Sequence, residues 1–258
     1  MKTARTSPLA RAPRRQAGQG LRERIATERD GFGFYAAGVV LAAALLVAAM
    51  WVCWFVARAV TPWAVTGVAV VAAAVVIADM RRRVGRGHDY SLGLSGELDT
   101  AEWLGELAAS GYRLFHDLQG AKGNIDHVAV GPAGVLVIET KTRSKTAGDK
   151  VRYDGKRLLV GGWDATDEYL GQARACRDDM RRRLREYSEV AASLPVRAVL
   201  AFPGWDVEED RASGAEVWVL NPKRRIAAWA AQEVRRRGAV AQGAIDSAAA
   251  MLDAWARS

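Results

Sequence analysis

The chain has 258 residues, half of them apolar, enough to bury one full domain core with segments to spare. Its formal charge is +8, but the excess sits in residues 1–33, with eight basic and three acidic residues, and in four arginines within 80–88; from Asp89 onward 24 basic residues face 25 acidic ones. That distribution excludes reading the whole-chain charge as the mark of a basic nucleic-acid-binding domain, and two cysteines in unlike settings, Cys53 in an apolar run and Cys176 in a polar helix, exclude a disulfide-stapled fold and suit a reducing compartment.

Residues 1–33 are arginine-rich and lack a sustained apolar period, so they read as a basic disordered cytoplasmic tail with a short helix near 21–29. Such a tail is either a solvated arm or a contact for anionic lipid headgroups. Residues 34–57 and 59–78 are two uncharged runs separated by Arg58, with Pro62 at a helix start and Trp51, Trp54 and Trp63 near the joined ends. At about 1.5 Å per residue the first spans roughly 36 Å, more than a bilayer core of about 30 Å. Residues 34–79 are therefore expected to form a transmembrane helical hairpin in the lipid bilayer. Basic residues flank both outer ends, which predicts a multi-pass inner (cytoplasmic) membrane protein with both termini in the cytoplasm. The Ala, Arg, Val and Gly bias hints at a GC-rich bacterial genome.

Residues 80–94 read as a basic juxtamembrane linker rich in glycine and serine, with His88 exposed. The domain proper is expected over 95–258, its motif core at 95–220 and C-terminal helices at 222–256. Ser95 is placed as the N-cap of a helix ending at Ser110 and Gly111, with Glu97, Ala101, Leu104, Ala108, Leu98, Trp103 and Leu107 facing inward. Glu97 then suits the helix dipole, or aims a carboxylate at a site. A strand over 112–118 and a loop over 119–123 follow.

The segment GNIDHVAVGPAGVLVIETK (123–141) reads as a hairpin turning at Pro132-Ala133. Pairing then runs Val130 with Val135, Val128 with Val137 and Asp126 with Glu139, and cross-strand partners share a face. Lys141 joins them two residues on, while Ile125, His127, Ala129, Leu136 and Ile138 take the other face. Two carboxylates side by side repel. Either one takes up a proton or a divalent cation lies between them. A lysine beside such a cation site could stabilise charge in phosphodiester hydrolysis. His116 and His127 read as core or edge histidines. Asp154-Gly155 signals a second hairpin between 151–153 and 157–160. A long helix is expected over 165–190 with Tyr169, Ala173, Cys176, Met180 and Leu184 inward and an arginine-rich outer face that is solvated or meets phosphates. Strands at 195–202 and 216–220 and helices at 222–237 and 241–256 complete the chain.

GLSGELDTA opening a helix, GYRLFHDL, GNIDHVAVGPAGVLVIETK, the YDGK hairpin and a glutamine in the long helix together resemble the nuclease-related domain (NERD), a branch of the PD-(D/E)XK nuclease-like superfamily, over roughly residues 93–220. The resemblance implies a restriction-endonuclease-like α/β fold, a mixed sheet flanked by helices, here preceded by the membrane hairpin. It maps Glu97 to the helix acid, Asp126 to the principal metal ligand, Glu139 and Lys141 to the catalytic acid-lysine pair, the Thr140 carbonyl to a further ligand and Gln172 to an accessory residue. It implies Mg²⁺ or Mn²⁺ as cofactor and nucleic acid, foremost DNA, as substrate. Thr142 stands where asparagine is frequent, and the following segment puts Arg143 and Lys145 forward as substrate contacts. The implied function is a membrane-anchored, metal-dependent nuclease. Two alternatives stand beside it: a non-catalytic nucleic-acid-binding or scaffold module, favoured if Lys145, Lys150, Arg152 and the helix arginines scatter away from Asp126, and a protein whose business is the helical hairpin itself.

Overall fold

The computed structural model describes residues 16–57, 62–120, 123–209 and 215–257. Residues 1–15 of the expected basic tail and the turn between the two apolar runs lie outside them, and the rest of that tail, from Gln19 onward, is helix and not disordered. The chain divides into two compact units, Leu21–Ser91 on the one hand and Met1–Gly20 with Leu92–Ser258 on the other.

The first unit is helical. Helix α1 runs Gln19–Ala57 and helix α2 runs Pro62–Ala109. Proline opens α2, where its missing N–H has no intrahelical partner to lose. The unit leaves large apolar side chains exposed, Leu41, Leu45, Trp51, Trp54 and Phe55 among them. Among the described residues, however, no helix is long and apolar enough to cross a membrane. Each uncharged run is part of a longer helix whose remainder is charged: Arg22, Glu23 and Arg24 open α1, and Asp79, Arg81 and Arg82 follow the run in α2. The expected transmembrane hairpin, and with it the multi-pass inner-membrane location with cytoplasmic termini, is corrected accordingly. The motive for a lipid bilayer and anionic headgroups as partners goes with it.

The expected linker at 80–94 is also corrected, because α2 continues through it to Ala109. Glycine costs about 1 kcal/mol in a helix but keeps its N–H and C=O, so the ladder persists where proline would break it. Ser95 is accordingly interior to the helix and not its N-cap. The buried stripe of its last turns is Gly96, Thr100, Leu104 and Leu107, while Leu98 and Ala108 are exposed. Gly111, at φ +85°, ends the helix as expected.

The second unit is a mixed α/β fold with two sheets flanked by helices. Strands β1 (Arg113–Gly120), β2 (Gly123–Gly131), β3 (Gly134–Thr140), β7 (Val196–Ala201) and β9 (Val217–Leu220) form one five-stranded sheet in that order. The first three are antiparallel, and β3, β7 and β9 are parallel. The smaller sheet orders β6 (Trp163–Asp164), β5 (Leu158–Val160), β4 (Lys150–Tyr153) and β8 (Asp206–Glu209). Strand β8 was not foreseen: DVEE has no apolar alternation, and its partner β4 is distant in sequence. The loop expected at 119–123 is shorter, since β1 reaches Gly120 and β2 begins at Gly123.

The expected long helix is three pieces, a π-helical turn at Thr166–Leu170, α3 at Gly171–Tyr187 and α4 at Glu189–Ala192. Ser188 makes the last break: its backbone is extended and its hydroxyl accepts the Ala191 N–H, capping α4. Helices α5 (Pro222–Arg237) and α6 (Gln242–Trp255) close the chain. Asn221 caps α5 by accepting the Lys223 N–H.

Both faces of the large sheet are covered. Met180 and Leu184 of α3 and Ile245 and Leu252 of α6 pack on Phe115, Val128 and Val137. Leu104 and Leu107 of α2 and Ile226 of α5 pack on Ala129, Leu136 and Ile138 of the other face. Each fully buried leucine of this kind contributes about 1.5–3 kcal/mol. The covered sheet therefore holds the ends of β2 and β3 rigidly.

Candidate active site

The hairpin has the register that its turn requires. Val130 pairs with Val135, Val128 with Val137, and Gly131 with Gly134, whose φ of +99° only glycine adopts without strain. The ladder stops at His127–Ile138, one step before Asp126 and Glu139. Ile125 joins the cluster of Val128 and Val130 instead of siding with Ala129, so strict alternation is broken at Asp126. Asp126 replaces the missing ladder bond with its side chain, as Oδ2 accepts the Thr140 N–H at 2.7 Å. Opposite this kink on β1, Asp117 has φ +53° and holds the Asn124 amide at 2.6 Å and the Gly20 N–H at 2.7 Å. Aspartate tolerates that left-handed conformation better than most residues.

Glu139 is 4% exposed. Its Oε1 accepts Lys141 Nζ at 2.9 Å and Gln172 Nε2 at 2.6 Å, and Lys141 Nζ also donates to Gln172 Oε1 at 2.7 Å. The three side chains close a triangle. Cys176 Sγ lies 4.0 Å from Glu139 Oε2, and the Tyr169 ring lies 5.0 Å below the Lys141 ammonium. Tyr169, Gln172 and Cys176 are thus on one helical face, at spacings of three and four. The sequence placed Tyr169 and Cys176 on the core stripe and Gln172 outside it. The spacing from Gln172 was the signal that could have joined them.

Burial holds the Asp126 carboxyl well above its usual range, Glu139 and Glu97 push it further, and the Thr140 N–H and Lys141 only partly oppose them. Burial also raises Glu139 against the pull of Lys141. For Lys141, burial favours the neutral amine, but Glu139 and Asp126 outweigh it and raise the pKa. Burial, then Glu139 and Asp126, push the Cys176 thiol up to about 12, so it is protonated and no nucleophile near neutral pH.

Glu139 and Glu97 therefore both act on Asp126, with Lys141 opposing them. This is the electrostatic signature of a place that a cation would relieve. Among the described residues, no group of three His, Cys, Asp or Glu side chains has metal-cage spacing. The donors at hand are the two hard carboxylates of Asp126 and Glu139 and nearby backbone oxygen, such as the Thr140 carbonyl. That set fits Mg²⁺ or Mn²⁺, since Mg²⁺ is commonly bound by one or two carboxylates and keeps several waters.

The other expected contacts lie elsewhere. Arg143 stacks at 4.7 Å on Trp163, and Lys145 Nζ donates to the Gly204 carbonyl at 2.5 Å and lies 5.6 Å from the Trp205 ring. Lys150 and Arg152 pair with Glu208. Arg174 and Arg177 pair with Glu216, and Arg182 and Arg183 with Asp179. These cations are matched locally and make no ion pair with Asp126. His116, half-buried, and His127, buried, face each other, Nδ1 to Nδ1 at 2.8 Å, where core or edge histidines were expected.

Residues 92–203 match the family model of the nuclease-related domain. No curated protein and no solved structure matches the chain. The domain match points to a nuclease-related function, and with it to nucleic-acid binding in general.

Proposed function

We propose that the α/β unit is a divalent-metal-dependent nuclease that hydrolyses phosphodiester bonds, with DNA as its foremost substrate. The observation that carries this reading is the pair of carboxyls, buried Glu139 and half-buried Asp126, set beside Lys141 where β2 begins and β3 ends. Asp126, Glu139 and the Thr140 carbonyl would hold the ion. When bound, Mg²⁺ or Mn²⁺ supplies a Lewis acid for the phosphate and an acidified water.

The chain's own residues do the rest. The Thr140 N–H fixes the Asp126 carboxylate. Gln172 bridges Glu139 and Lys141 and so sets the direction of both. Lys141, fully charged by its acid neighbours, is placed to stabilise negative charge that develops on the phosphate. Glu97 adds negative field from α2, and the protonated Cys176 keeps the back of the site free of a competing nucleophile. Arg143 and Lys145 would meet substrate only by leaving the aromatic rings on which they rest. Incubating the full chain with supercoiled plasmid and Mg²⁺ or Mn²⁺ tests the proposal. Nicking that EDTA and Glu139→Ala both abolish is expected. Absence of nicking, or equal nicking by the variant, refutes it.

A second reading is favoured by one observation, the pairing of Lys150, Arg152 and the α3 arginines with local acids instead of lining an approach to Asp126. On that reading the domain binds nucleic acid or a partner without cleaving it. Metal-independent binding of DNA by the Glu139→Ala chain, with no cleavage by wild type, would select it.

A further inference from the structure

A second site lies at the other end of the large sheet. The acids sit at the C-terminal ends of parallel strands β3 and β7, the usual ligand end of an open α/β sheet. About 15 Å back along the strands, at their N-terminal ends, is a cleft of about 230 Å³. Arg177, Arg181, Arg197 and Arg237 line it, with Trp218 forming part of the wall and Glu216 and Glu233 as its acids.

The charges do not balance. Glu233 alone answers Arg197, Arg236 and Arg237, at 3.4, 3.0 and 2.7 Å from one oxygen. Glu216 answers Arg174 and Arg177, and Asp178 answers Arg177 and Arg181. Six guanidinium groups thus share three carboxylates among the described residues, with Arg177 and Arg197 largely buried. Arg197 is the most confined. It donates to the Ala215 carbonyl at 3.2 Å and stacks 5.3 Å from the Trp218 ring. Burial, and then repulsion from Arg237 and Arg236 against the pull of Glu233, hold its pKa below the arginine range. A structural ion-pair network would match its charges, as the exposed Arg182 does with Asp179 and Glu186. Part of the surplus lies in the last turn of α5, where cations favour the helix dipole, but Arg197 is on β7 and Arg177 on α3.

We propose that this cleft binds a phosphate-bearing anion, with Arg197 and Arg237 as its principal contacts. Guanidinium forks match phosphate oxygens bidentately, and the cleft has room for a phosphate group with part of a nucleoside. The ligand is either a free phosphate compound or a phosphate of a nucleic-acid chain, and the chemistry recognised is the same. The inference does not rest on catalysis at Asp126 and Glu139.

The test is thermal denaturation of the full chain with inorganic phosphate, a 5′-nucleoside monophosphate or a short single-stranded oligonucleotide, each against sodium chloride of equal ionic strength. A saturable rise in midpoint that chloride does not reproduce is expected. Arg197→Gln and Arg237→Gln should each weaken apparent affinity about fivefold or more, while Arg182→Gln leaves it unchanged. Arg237 is half exposed, so its variant serves even if Arg197→Gln folds poorly. Equal affinity for phosphate and mononucleotide assigns a free phosphate group, and tighter binding of the oligonucleotide assigns a chain phosphate. The proposal is overturned if wild type shows no saturable shift, if Arg237→Gln binds as wild type does, or if Arg182→Gln loses as much affinity as Arg237→Gln.

Discussion

The two ends of the five-stranded sheet carry opposite surpluses. Where β2 begins and β3 ends, Asp126 and Glu139 flank one lysine, and burial raises both carboxyls. Where β7 and β9 begin, three carboxylates share six arginines among the described residues, and their partners lower the pKa of Glu216 and Glu233. A charge count near zero over the domain therefore conceals two separated excesses. Net charge is a sum and reports nothing about dipolar arrangement, whereas a site is defined by local imbalance. The near-neutrality that spoke for a passive module is compatible with one place short of cations and another short of anions.

The sharpest way to break the comparison is to neutralise one end and read both. Glu139→Gln should cut metal-dependent cleavage by about 10³-fold, the scale of losing a preorganised charge at a reacting phosphate, with substrate affinity changed far less. Arg237→Gln should leave the single-turnover cleavage rate at saturating substrate unchanged. If both variants lose that rate equally, the ends are not independent. The next largest effect is on stability. Asp126→Asn removes a half-buried charge that its acid neighbours oppose, so the metal-free variant should be more stable than wild type at pH 8 by about 1–3 kcal/mol in urea. Arg177→Ala should be destabilising by a similar amount, because it removes two ion pairs and empties a nearly closed position. Destabilisation by Asp126→Asn would show that the acids are already compensated and need no ion.

How much of this was legible follows from where the physics is local. The hairpin register followed from alternation on either side of a Gly-Pro-Ala-Gly turn, and it brought Glu139 and Lys141 together from sequence alone. The kink at Asp126 did not follow, because it depends on Asp117 of the neighbouring strand adopting φ +53°, and nothing in a single strand's pattern reports its neighbour's backbone. Gln172 came only from resemblance. Arg197 was passed over because a lone arginine inside an apolar strand shows no partners in sequence. Its partners Glu233 and Arg237 are some forty residues away, on α5. The apolar runs misled in the opposite sense, since absence of charge over 24 residues says nothing of the charged helix that continues them.

Metal and pH sharpen the contrast further. A carboxyl whose folded pKa is raised contributes stability below its unfolded value and loses it as pH rises through the folded value. For Asp126 and Glu139, with ordinary values of 3.8 and 4.5, metal-free stability should thus fall as pH rises above that range. Millimolar Mg²⁺ should reverse the loss, raising the melting midpoint more at pH 8 than at pH 5. An equal Mg²⁺ effect at both values would mean that the ion binds elsewhere.

The smallest effect has the opposite sign and belongs to the arginine end. Burial opposes the charge on Glu233, but Arg236, Arg237 and Arg197 outweigh it and lower its pKa. A depressed carboxyl contributes stability above its ordinary value, 4.5, and loses it as pH falls through the lower folded value. One carboxylate on a partly solvated network is worth about 1 kcal/mol or less after screening. Glu233→Gln should therefore flatten the acid limb of the stability–pH profile by no more than that, as Asp126→Asn flattens the alkaline limb by more. The same Glu233→Gln change enlarges the cation surplus around Arg197, so it should also tighten phosphate binding in the cleft. A variant that flattened the acid limb but weakened phosphate binding would show Glu233 orienting the arginines for the anion, and not competing with it.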